Sequence, residues 1–170
     1  MRTSKQPADI DTLATFSVQV PNDTIRTDLS TLVKVMTIER FLDQLSQLNA
    51  PLLQQRRIEI EVDCDSKCHA ITHEETLIQA LSSILQYAAK CSPVGSRVYL
   101  SAFSAANGTE FEIADSSNLT ADLARAGSFE LAKAERDLRD AGVSMNVMNC
   151  PQGGVAYSML LHQKAARTAA

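Results

Sequence analysis

The sequence predicts an α/β (α+β) two-layer sandwich, with one mixed, mostly antiparallel sheet covered on one face by three helices. Three observations carry this. Residues 72–93, THEETLIQALSSILQYAAKCSP, read as an amphipathic helix opened by a capping box, Thr72 with Glu75 three residues on. RVYLSAF (97–103) and TEFEIAD (109–115) alternate and flank Ala106-Asn107-Gly108, where Asn-Gly is a strong hairpin signal. The element order is helix, strand, helix, hairpin, helix, hairpin, which gives each helical apolar stripe a sheet face to cover.

Taken in order, residues 1–30 form an N-terminal extension, 31–163 the folded domain and 164–170 a solvated tail. In the extension, MRTSKQPAD is polar, FSVQV (16–20) alternates like an edge strand, and Pro21-Asn22-Asp23 reads as a turn. LVKVM (32–36) is expected to be the first sheet strand. Thr37 is a plausible N-cap for a helix with Ile38, Phe41, Leu42, Leu45 and Leu48 on one stripe. Pro51 either kinks that helix or begins a new turn, and Arg56-Arg57 suit a helix C-terminus. IEIEV (58–62) alternates, with Ile58, Ile60 and Val62 on one face. SFELAKAERDLRDAG (128–142) is a helix with apolar Phe129, Leu131, Ala134 and Leu138, closed by Gly142. VSMNVM, a turn at Pro151-Gln152-Gly153-Gly154, and VAYSMLLH complete a second hairpin.

A chain of 170 residues fits one domain with a real core, and 45% hydrophobic with 21% charged residues is an ordinary globular balance. The net charge of −4 argues against nucleic acid as the main partner, because phosphate binding needs a basic surface. No apolar run approaches a membrane span, and the N-terminus lacks a signal-like apolar region, so a cytoplasmic protein is expected. Its cysteines, Cys64, Cys68, Cys91 and Cys150, are then expected to be free thiols. Cys64, Cys68, His69 and His73 have a C-x3-C-H-x3-H spacing that raises a soft-metal site. Adjacent Cys68 and His69 would have difficulty sharing one ion, so a loop rich in these residues, with no metal, is the preferred reading.

The central helix has two faces. Leu77, Leu81, Ile84, Leu85 and Ala88 form the apolar one, while Ser83, Tyr87 and Lys90 share another that looks into whatever cavity the fold leaves. The frame Leu81, Ile84, Leu85, Ala88, Lys90, Ser92, Pro93 resembles the asparagine-box helix of the histidine-kinase ATPase superfamily, the fold shared with gyrase. In that family two asparagines stand where this chain has Ser83 and Tyr87. The resemblance spans roughly residues 35 to 162 and implies a Bergerat-like fold. It places a remnant nucleotide pocket at Ser83, Tyr87, Lys90 and Asp115, with no catalytic or metal-ligating residue assigned.

The family's chemistry is altered at each motif. The asparagine at the Tyr87 position helps hold Mg²⁺ on ATP, and a phenol is a poor Mg²⁺ ligand. The expectation is that this ring plugs the cavity. Asp-x-Gly-x-Gly becomes Asp115-Ser116-Ser117-Asn118-Leu119, both glycines lost. Asp115 is then either the family's adenine-reading carboxylate or a strand-end aspartate bonding its own turn. The glycine-rich helix entry becomes Ser128-Phe129-Glu130-Leu131, where Glu130 would repel a triphosphate and is better explained as an acid at a helix start. Only eight residues, TADLARAG, occupy the place of the mobile ATP lid.

The functional expectation is a degenerate, non-catalytic domain that binds a signalling protein: a histidine kinase, a response regulator or a transcription factor. No cofactor is expected, or ATP with Mg²⁺ if the pocket still functions. The alternative is a stand-alone ATP-dependent kinase of the histidine-kinase or anti-sigma-factor serine-kinase type. A phosphotransfer protein is disfavoured, because no histidine has the setting of an acceptor on a helical hairpin. His69, His73 and His162 are expected at the surface. A homodimer through edge pairing of FSVQV is a further possibility.

Overall fold

The computed structural model describes residues 36–68 and 74–162. The FSVQV segment, most of the strand expected at 32–36, the Thr72 capping box, His69, His73 and the C-terminal tail lie outside them.

Helix α1 (Ile38–Gln55) starts where expected, with the Thr37 hydroxyl accepting from the Arg40 N–H at 3.4 Å. Ile38, Phe41, Leu42, Leu45 and Leu53 are buried, but Leu48, expected on the same stripe, is exposed. Successive helical residues turn by ~100°, so Leu48 falls on the flank of the stripe and Asn49 at its centre. Asn49 is buried at no polar cost. Its amide donates to Leu45 O at 2.8 Å, and its Oδ1 accepts from the Ser82 hydroxyl at 2.9 Å and the Gln86 amide at 3.1 Å. Pro51 lies inside the helix, which continues past it to Gln55; Gln47 and Pro51 are both exposed, so water can reach the carbonyl that proline leaves without a donor. Arg56 serves the next helix more than its own: its guanidinium donates to Ser92 O at 2.8 Å.

Strand β1 (Glu59–Cys64) leads to helix α2 (Glu74–Cys91) and then to the hairpin β2 (Arg97–Ala105) and β3 (Gly108–Ala114), turned at Ala106-Asn107. Two helices follow where the sequence suggested one. Residues read as a short lid-like loop form α3 (Ala121–Gly127), capped by the Thr120 hydroxyl. Among its described residues the buried ones are Ala121 and Ala124, too small a stripe to register as periodic. Helix α4 (Phe129–Asp140) is capped by Ser128, whose hydroxyl accepts from Leu131 N–H at 3.0 Å. Leu131, Ala134 and Leu138 are buried as expected, whereas Phe129 is 81% exposed. It lies roughly 160° around the helix from Leu131, on the opposite face. The hairpin β4 (Val143–Asn149) and β5 (Val155–His162) ends the described fold.

The sheet has the order β1-β2-β3-β5-β4, with β1 parallel to β2 and all other pairs antiparallel. This is the mixed, mostly antiparallel sheet expected. The helices cover one face through Leu100, Ala102, Phe111, Ile113, Tyr157 and Met159, all fully buried. Phe41 of α1 meets Phe111 of β3 with ring centroids 5.5 Å apart. Val62 points to this face but stands on the edge strand, where it remains exposed, contrary to the expectation of a uniform inward row.

Candidate functional site

The four residues singled out in the sequence come from α2 and the end of β3. Ser83, Tyr87 and Lys90 follow one another along α2. The Ser83 hydroxyl donates back to Gln79 O at 3.1 Å, so it is tied to its own helix. The Tyr87 hydroxyl donates to Ala124 O at 3.3 Å, joining α2 to α3. Its ring stands edge-on to Tyr157 of β5, with centroids 6.3 Å apart and planes at 84°. Burial first, and the Cys91 thiol next, push the Tyr87 phenol up to about 12, so it is neutral at ordinary pH.

Lys90 meets Glu130 of α4 at 3.7 Å, with both side chains largely exposed. Glu130 is held below the usual carboxylate range, first by its own backbone N–H, then by the Ser128 hydroxyl and by Lys90. The acid at the helix start is therefore bonded as the sequence implied, and it also takes the lysine.

Asp115, 4% exposed, follows β3 directly. Its Oδ1 accepts from the N–H groups of Ser117 at 3.0 Å and Val155 at 2.9 Å. Its Oδ2 accepts from the Tyr157 hydroxyl at 3.4 Å. The carboxylate thus bonds its own turn and also anchors the start of β5. Gly154 makes this approach possible: at φ +89° it has no side chain, and a Cβ would overlap the Asp115 carbonyl.

Tyr157 was not legible as a site residue. It is one aromatic in an alternating strand, and nothing local marks it as the partner of both Tyr87 and Asp115. Burial, then the Asp115 charge, push its phenol up as well. A cavity of about 550 Å³ lies on the other side of Asp115, lined by Tyr99, Ser101, Glu112, Asn118 and Gln152 among others, and by none of Ser83, Tyr87 or Lys90.

Cys64 and Cys68 are half-buried free thiols beside Glu39 and Asp65, around a cavity of about 180 Å³. Burial pushes both up, Cys68 to about 11. Among the described residues no group of three or more His, Cys, Asp or Glu is placed to hold a metal ion, and His69 and His73 lie outside them.

The architecture matches solved structures of sensor histidine kinases. The cytoplasmic segment of histidine kinase QseC superposes with a TM-score of 0.60 at 19% identity, over 78% of this chain and 76% of that one. The ATP-binding domain of PrrB from Mycobacterium tuberculosis gives 0.64 at 20% identity, over 78% and 98%. Full-length ShkA in complex with AMPPNP gives 0.65 at 22% identity, over 78% of this chain and 32% of that one. No family model matches the sequence, and no curated protein matches it. The chain thus has the fold of the ATP-binding domains of sensor histidine kinases, a mixed five-stranded sheet under helices. At these identities the likeness is one of fold, and the site must be judged on its own residues.

Proposed function

We propose that this domain acts by binding another protein in bacterial two-component-type signalling, without turning over ATP. The observation that carries the reading is Tyr87. In the family's pattern its position supplies a Mg²⁺ ligand. Here a neutral phenol is engaged with Ala124 O and packed on Tyr157, so it offers no carboxylate or carbonyl oxygen to an octahedral ion. The surrounding groups agree. Asp115 Oδ1 already accepts two backbone N–H bonds, and Lys90 has a carboxylate beside it, that of Glu130. The residues present do not fit Mg²⁺-ATP.

Partners of the kind expected are a histidine kinase, its response regulator or a transcription factor, in the cytoplasm. No helix among the described residues is long and apolar enough to cross a membrane. The test is ATP hydrolysis and γ-phosphate transfer by the purified chain with Mg²⁺, beside the Asp115→Asn variant. Rates at the level of the protein-free blank for both support the reading. Turnover by the wild type that disappears in Asp115→Asn overturns it.

A further inference from the structure

The face of the sheet turned away from the helices has a chemistry of its own. Strand register places Glu61 beside Tyr99, Asp63 beside Ser101, and Glu59 beside Arg97 on β1 and β2. On the other side of β2, Glu112 pairs with Ser101 and Glu110 with Phe103. Inward neighbours Val98, Leu100 and Ala102 are buried, so these partners all point outward. Five carboxylates therefore share the face with one guanidinium, that of Arg97. Arg97 is already bridged to Glu59 at 2.9 Å and to Glu61 at 3.1 Å. At the far edge Arg125 is taken by Asn146 at 3.1 Å. Among the described residues no helix lies over this side.

Aromatic surface stands within the same acidic array. Tyr99 is 41% and Phe103 40% exposed, two rings on one strand, and Met148 is exposed in the same row as Tyr99. Large side chains of these types are more common in interfaces than on free surface. A ring flanked by carboxylates attracts a cation twice over, through its π face and through the neighbouring charges. The 550 Å³ cavity at the Tyr99 end, with Glu112 in its wall, gives such a group a recess.

We propose that this open face is a docking surface for an arginine-rich segment of a partner protein, with guanidinium groups lying against Tyr99 and Phe103 and pairing with Glu61, Asp63, Glu110 and Glu112. Arginine suits the site better than lysine because its planar group both stacks on a ring and pairs bidentately with a carboxylate. The proposal rests on the protein-binding reading above for its class of partner; its surface adjoins the candidate site at the recess, whose wall includes Asp115, and extends away from it along β1 to β3. A nucleotide result that overturned that reading would leave this face unaffected, and failure here would leave the nucleotide result standing.

The test is titration of the full chain with an amidated hexa-arginine peptide, with hexa-glutamate as control, followed by calorimetry and backbone amide shifts. The expected result is saturable binding of hexa-arginine alone, with shifts concentrated in 99–103 and 110–114. Raising salt from ~0.05 to ~0.5 M should weaken it about tenfold or more. The Glu61→Gln/Glu112→Gln double variant, and separately Tyr99→Ala/Phe103→Ala, should each weaken it about tenfold or more, with circular dichroism unchanged. Absence of binding, equal binding of both peptides, shifts confined to other elements, or affinity untouched by the carboxylate substitutions overturns the proposal. Occupation of the face by this chain's own residues 1–35 would appear as absence of binding.

Discussion

Replacing Asp115 with alanine removes the acceptor of two backbone N–H groups, those of Ser117 and Val155, from a residue that is itself 4% exposed. Each buried donor left without a partner costs about 1–3 kcal/mol, so the pair costs about 2–6 kcal/mol. The bond from the Tyr157 hydroxyl is long at 3.4 Å and adds little. Relief of the carboxylate's own desolvation offsets part of the loss, which brings the expected destabilisation to about 2–4 kcal/mol. That is a large share of the ~5–15 kcal/mol that holds a typical domain. Asp115→Asn keeps Oδ1 for both N–H groups, and its amide can donate to the Tyr157 oxygen, so it should cost only about 1 kcal/mol. Urea unfolding of the three proteins, followed by circular dichroism, measures both values. An alanine variant within about 0.5 kcal/mol of wild type, or an asparagine variant as unstable as the alanine, would refute the view that this carboxylate is an anchor of the β3–β5 junction.

Other outcomes follow from the same geometry. Gly154→Ala should destabilise by at least ~2 kcal/mol in the same urea assay, because it combines a strained positive φ with overlap of the Asp115 carbonyl. Tyr87 has a folded pKa of about 12, above its ordinary value of 10, so the stability it contributes is complete below pH 10 and is lost as pH rises towards 12. Tyr87→Phe should therefore lessen the alkaline fall in thermal midpoint, and an unchanged fall would count against a raised pKa for this half-buried phenol. For Glu130 the sign is opposite: its pKa is depressed, so its contribution is present above 4.5 and is lost as pH falls below that. Glu130→Gln should flatten the acid limb of the stability curve, measured by thermal midpoint between pH 6 and pH 3.

Most of the fold was legible because its elements obey simple periods. The outward and inward rows alternate from Arg97 to Phe103 in β2 and from Thr109 to Ala114 in β3, and Thr37 occupies a cap position whose hydroxyl is bonded as such a position demands. The errors share a cause. Leu48, Val62 and Phe129 were assigned by hydrophobicity, yet a flank position, an edge strand and the far side of a helix leave all three exposed. Asn49 was passed over because it is polar, although three hydrogen bonds let it take the centre of the stripe. Helix α3 was hidden because the buried ones among its described residues are two alanines.

The site was legible only in part. Tyr87 and Asp115 stood out against the family's pattern of motifs, but the bond to Asp115 from the N–H of Val155, forty residues on, has no local signal in the sequence. Tyr157 joins Asp115 and Tyr87 only through tertiary packing. The acidic outer face likewise depends on strand order, since Glu61 and Glu112 are brought to neighbouring rows by the sheet and not by sequence spacing.

The central claim is that Tyr87 and its neighbours leave no place for Mg²⁺-ATP. Calorimetric titration of the full chain with ATP, with and without Mg²⁺, tests it most directly, beside Tyr87→Asn as a comparison. The account predicts no saturable heat and no thermal shift for the wild type at about millimolar nucleotide, a ceiling corresponding to ~4 kcal/mol of binding. Saturable, Mg²⁺-dependent binding by the wild type would contradict it.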